Sequence, residues 1–144
     1  MPLKSSRLAP SLIAKRLVYL ALFTMSSTGL AWLVLDNFFE QSSAVGPQKH
    51  SWQSTILSLH GISSYFFAVL FGYIISHHVV VAWSAKKYRL SGNLLLAITS
   101  FLILSGASFL FITLGDFKSV LTWIHAGFGL SLIIVLCAHV NWRK

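Results

Sequence analysis

The sequence predicts an all-α membrane protein: a transmembrane four-helix bundle in up-down order, one domain over 1–144, with both termini cytoplasmic. Three observations predict it. Four continuous apolar stretches run through the chain, charges are almost absent from them, and the basic residues cluster in segments that four crossings place on one face. Hydrophobic residues make up 56% of the sequence and charged residues 10%, where a soluble domain carries about a quarter charged. Mean hydropathy is +0.74.

The stretches cover roughly 16–35, 54–83, 92–114 and 119–141, each reaching the ~20 residues that cross a bilayer. Barrel strands would show as segments of about 10 residues with alternating polarity. These runs are continuously apolar, so helices are expected, with short joins that favour antiparallel neighbours. The first run follows a basic arm, as in a signal peptide. It is as long as a full span, so a retained first helix is expected. The second is long enough to tilt or to project a turn beyond the hydrocarbon.

Basic residues in short loops mark the cytoplasmic side. The N-terminal arm has Lys4, Arg7, Lys15 and Arg16, the loop between the second and third spans has Lys86, Lys87 and Arg89, and the C-terminus has Arg143 and Lys144. The opposite face holds Lys49 and Lys118 with all three acids, Asp36, Glu40 and Asp116. The net charge of +8 therefore fits membrane anchoring on anionic lipid, with no nucleic-acid partner. Trp32, Trp52, Trp83, Trp123 and Trp142 fit aromatic belts, and Cys137 an inert core position.

Ionisable groups inside membrane segments are costly and usually functional. Of six histidines, His50 falls in the polar loop before the second span and is expected to be solvated. His60, His77, His78, His125 and His139 all fall in the second and fourth spans, which run parallel to each other. His60 and His125 lie about two turns inside the outer ends, and His78 and His139 approach the inner ends. His60 and His78 are about five whole turns apart, and His125 and His139 about 40° short of four, so each pair keeps one helix face. His77 falls about 100° from His60, so His78 is the expected inward residue, and His77 a supporting or interfacial group. The axial separations are about 27 Å and about 21 Å; tilt, or bending near Gly72, would absorb the difference.

Two facing histidine pairs stacked through a bundle suit two bis-histidine haems, because haem iron offers two axial positions to neutral nitrogen ligands. Gly61, Gly72, Gly127 and Gly129 supply room for a flat macrocycle, although glycines alone also serve helix packing. The single cysteine excludes Cys-x-x-Cys-His attachment and leaves non-covalent haem b. Histidines that only pack, or that carry a transported metal ion, are the competing readings. A transporter site would add intramembrane carboxylates or soft ligands.

The block from His60 to Asn141 resembles the small bacterial four-helix di-haem cytochromes b of the cytochrome b561 type. The similar features are LHG at 59–61, HV at 78–79 followed by Trp83, RLSG at 89–92, LGD at 114–116, and His125-x3-Gly129-Leu130 through His139-Val140. The resemblance implies haem ligation by His60, His78, His125 and His139, and electron transfer. It departs from relatives that take ligands from their first helix, which here has no histidine.

The expected function is transmembrane electron transfer in the bacterial inner membrane, as an oxidoreductase subunit more than a complete enzyme. His60 with His125 would hold one haem near the outer leaflet, and His78 with His139 one near the inner leaflet. Lys86, Arg89 and Arg143 inside, and Lys118 outside, would complement the propionates. The expected partners are membrane lipid, a quinone, other redox subunits or a periplasmic cytochrome c, and a second copy in a paired dimer. Asp36 and Asp116 would serve as outer proton acceptors or, more simply, as solvated loop groups. The alternative is a non-redox protein, either a histidine-based metal-ion transporter or an assembly scaffold.

Overall fold

A backbone in hydrocarbon has to satisfy its own hydrogen bonds, which leaves helices for continuous apolar runs. The computed structural model describes residues 11–43, 46–84, 89–112 and 115–141. Its elements are α1 (Leu12–Phe38), β1 (Glu40–Ser43), β2 (Gly46–Lys49), α2 (Gln53–Ile74), a π-turn (Ile75–Val79), α3 (Val80–Ser84), α4 (Arg89–Ser108) and α5 (Asp116–Asn141). Among the described residues, four helical stretches are long and apolar enough to cross a membrane: Leu12–Phe38, Gln53–Ser84, Leu90–Ser108 and Asp116–Asn141. Leu12, Phe23, Val69, Leu104 and Ile134 are each at least 70% exposed. Apolar faces that open mark contact with membrane or with protein. The chain is a multi-pass, all-α membrane protein. Of the expected topology signals, Lys4, Arg7, Lys86, Lys87, Arg143 and Lys144, with Trp142 and Leu114, lie outside the described residues.

The chain divides into two units, Leu12–Leu70 and Phe71–Lys144 with Met1–Ser11. In the first, α1 and α2 run antiparallel, joined by a hairpin that the sequence pattern does not announce. β1 and β2 pair antiparallel from Glu40 opposite Lys49 to Ser43 opposite Gly46. Gly46 has φ +110°, which favours glycine. The hairpin returns Lys49 to Asp36 near the end of α1, where the ammonium donates to the carboxylate. Gln53 Nε2 donates to the same carboxylate. An acid at a helix C-terminus opposes the helix dipole, so both donors offset an unfavourable position. His50 is not merely solvated: its Nδ1 accepts from Trp52 N–H at 3.2 Å and its carbonyl from Gln53 N–H at 2.9 Å, closing the start of α2.

In the second unit α4 packs antiparallel on α5. Ile98 and Leu102 of α4 and Leu132 of α5 are buried, and the Phe101 and Phe128 rings lie 4.5 Å apart. Trp83 Nε1–H donates to Asn93 Oδ1 at 2.8 Å, tying α3 to α4. Helix α4 ends at Ser108, short of the expected 114. Leu110 and Phe111 N–H turn back to the carbonyls of Ala107 and Ser108, the i to i+3 pattern that tightens a last turn. Hydropathy continues through Phe109–Ile112 and so hides this end.

Gly115 has φ +107° and its carbonyl accepts from Lys118 and Ser119 N–H as α5 begins. A side chain in that backbone region costs about 1–3 kcal/mol. Gly115→Ala is expected to lower the melting temperature in detergent by several degrees, followed by circular dichroism. Gly92→Ala, where a Cβ meets nothing within 4 Å, is expected not to lower it.

Candidate functional site

A hydroxyl inside an apolar helix commonly bonds to the carbonyl one turn back. Helix α1 carries such a run. Thr24 Oγ1–H donates to Leu20 O at 2.9 Å, Ser27 Oγ–H to Phe23 O at 2.7 Å and Thr28 Oγ1–H to Thr24 O at 2.7 Å. With its hydrogen committed to the backbone, Thr28 turns its oxygen toward α2. There His60 Nδ1 lies 3.3 Å from Thr28 Oγ1 and 3.1 Å from the Met25 carbonyl oxygen. Gly29 makes the approach: a Cβ there would stand 3.0 Å from His60 Cε1 and 3.2 Å from Nδ1.

The second unit repeats the arrangement. Ser105 of α4 is 5% exposed. Its hydroxyl donates to Leu102 O at 3.2 Å, and its oxygen lies 2.8 Å from His125 Nδ1 on α5. Gly106 follows it, with a Cβ position 3.7 Å from His125 Cε1, and Phe109 meets the imidazole edge-on at 5.7 Å. Farther along the pair, Ser91 Oγ lies 2.8 Å from His139 Nδ1. Ser91 and Ser105 are 14 residues apart, as are His125 and His139, so both contacts belong to one antiparallel register.

His60, His78, His125 and His139 are all half-buried, whereas His77 is exposed. His77 Nδ1 lies 2.7 Å from Ser76 Oγ and 3.1 Å from Tyr73 O, and its ring stacks on Tyr73 at 4.3 Å. Both His77 and His78 sit in the π-turn. Such turns widen the spiral by one residue and often mark functional positions. The residue count that selects His78 over His77 presumes unbroken α geometry, which ends at Ile74. Exposure, not helical phase, now separates the two.

A Cβ at Gly61, Gly72, Gly127 or Gly129 would meet nothing within 4 Å, so these glycines leave room, whereas the close approach to a histidine is made by Gly29. Among the described residues no group of three or more His, Cys, Asp or Glu side chains converges. Asp36 belongs to the ion pair with Lys49, and Asp116 opens the first turn of α5, an acid where the helix dipole favours one. Of the expected propionate partners, Lys86 and Arg143 lie outside the described residues, and Arg89 is described by its backbone alone. Thr28, Gly29, Ser91 and Ser105 are the site residues that a search for ligand side chains passes over. Their signal is a hydroxyl–glycine pair, Thr28-Gly29, Ser91-Gly92 and Ser105-Gly106, in the two spans that carry no histidine.

Gly29→Ala is expected to push the His60 ring off Met25 and Thr28 and to lower the melting temperature by a few degrees, since crowding a packed contact costs roughly 1–3 kcal/mol. Gly106→Ala places its Cβ in ordinary contact and is expected to leave the melting temperature unchanged or higher. Comparison of the chain with protein-family models, curated proteins and solved structures gives no match.

Proposed function

We propose that the protein is a transmembrane electron-transfer subunit whose histidines hold two non-covalent b-type haems, His60 with His125 and His78 with His139. One observation carries the reading: His60, His125 and His139, half-buried in apolar spans, each have Nδ1 against a hydroxyl of a histidine-free span. A metal-bound imidazole characteristically gives its other nitrogen to such a partner, which fixes the ring and leaves Nε2 to the metal. Packing histidines need no such recurrence.

Glycines close to these histidines in sequence support the reading. Gly61 adjoins His60, Gly127 and Gly129 flank the turn after His125, and none of the three has a neighbour within 4 Å of a Cβ position. When bound, a bis-imidazole haem supplies one-electron chemistry without an open coordination position. The chain's own part is to hold four neutral imidazoles, orient three of them through hydroxyls, and keep water away with apolar helix faces. His78 is preferred to His77 because it is half-buried while His77 is exposed and occupied on its own helix turn.

On this reading the protein works in a bacterial inner membrane with its termini cytoplasmic. A quinone or a membrane redox subunit stands on one side and a periplasmic cytochrome c on the other. The haem reading is preferred to metal-ion transport because a two-ligand iron is served by histidine pairs. An ion relay through the membrane needs convergent carboxylates or further soft ligands.

Purification in mild detergent, reduced-minus-oxidised spectra and a pyridine haemochrome count test the reading. Two b-type haems per chain are expected. His60→Ala and His125→Ala are each expected to remove one, as is His78→Ala, while His77→Ala retains both. A folded chain without haem, made under ample haem supply, overturns it and turns attention to bound metal.

A further inference from the structure

Which nitrogen of an imidazole carries the proton is decided by its partners. A carbonyl oxygen can only accept, so the 3.1 Å contact from His60 Nδ1 to Met25 O is a hydrogen bond only with the proton on Nδ1. Thr28 leads to the same answer by another route. Its hydroxyl hydrogen is directed to Thr24 O at 2.7 Å, so toward His60 it offers lone pairs. Ser105 is placed to repeat the logic for His125: Leu102 O at 3.2 Å can accept its hydroxyl hydrogen, which leaves the oxygen 2.8 Å from Nδ1 to accept from the ring. Ser105 is buried, where leaving an N–H or hydroxyl unmade is costly.

We propose that Thr28 and Ser105, anchored to their own helix backbones, are positioning residues that lock His60 and His125 in the Nδ1–H tautomer. The lone pair then lies on Nε2, the nitrogen that a metal would take. The ligand role of Nε2 rests on the haem reading above; the tautomer does not. Free imidazole in water favours neither nitrogen strongly enough to commit it. The pledged hydroxyl therefore converts a ring with two exchangeable faces into a neutral donor on one side and a neutral ligand on the other. Met25 contributes its carbonyl oxygen.

The test uses the full chain as purified in detergent, labelled with 15N-histidine and reduced with dithionite, with resonances assigned through single histidine substitutions and haem counted on the same sample. Expected are Nδ1–H signals for His60 and His125. Ser105→Ala, a near-isosteric change, is expected to move the His125 Nδ1 resonance and to speed exchange of its proton with water several-fold. Ser105→Thr is expected to restore both. Thr28→Ser is expected to leave His60 unchanged. A proton on Nε2 of either ring, or a Ser105→Ala spectrum matching that of the parent, overturns the proposal. Nδ1–H signals that respond to Ser105→Ala in a chain holding no haem uphold the positioning role and overturn the haem reading instead.

Discussion

Everything in this fold that bears on function follows from one constraint: a polar hydrogen in hydrocarbon must find an acceptor within the protein. Four helices satisfy their backbones internally. The imidazoles cannot do so, because each brings an N–H that its own helix does not always receive. His60, His125 and His139 each set Nδ1 against an oxygen of the neighbouring helix. Hydroxyls suit that task because a serine or threonine in a helix can place its hydrogen on the preceding turn and still offer lone pairs outward. The contacts divide along the chain accordingly: α2, the π-turn and α5 carry the membrane histidines, and α1 and α4 carry the hydroxyls that meet His60, His125 and His139.

The spacing on α4 and α5 shows how two such contacts coexist. Fourteen residues are two heptads, and an α-helix drifts by about 20° per heptad from a strict seven-residue repeat. Ser91 and Ser105 drift by the same amount as His125 and His139. An antiparallel pair that shares a gentle supercoil keeps both contacts in its seam, the commonest packing mode of membrane helices. The aromatic contact of Phe101 with Phe128 lies between them and belongs to the same seam. The first unit reaches a related arrangement by different means, through the Asp36–Gln53 contact and a hairpin.

The four spans and their histidines are legible in the sequence because hydrocarbon selects length and apolarity so strongly. Three things are not. The end of α4 at Ser108 is hidden by the apolar residues that follow it, since hydropathy reports solvent preference and not dihedral angles. The hairpin of 40–49 has little alternation to announce it; Gly46-Pro47 is its local cue. The π-turn at Ile75–Val79 leaves no pattern in an apolar run, yet it cancels the residue count that separated His77 from His78. The hydroxyl partners are partly legible. Thr28, Ser91 and Ser105 are each followed by glycine, but serine is common in membrane helices, and only contact with a histidine gives the pairs meaning.

The choice of hydroxyl over carboxylate carries a consequence for the proposed chemistry. A carboxylate partner would raise the basicity of an imidazole ligand and place a negative charge beside it, stabilising the more positive oxidation state of a bound iron. Taking such a charge out of water without a matching cation costs several kcal/mol. The acids described here lie instead near helix ends, Asp36 beside Lys49 and Asp116 at the start of α5. Were haem bound as proposed, a hydroxyl would add no charge in either oxidation state, and the apolar surroundings would be left to favour whichever state carries less net charge. For a b-type haem that is the ferrous form, which balances the two negative charges of the porphyrin core. On the proposed haem reading, the same hydroxyl partners would set the direction in which burial biases the redox equilibrium.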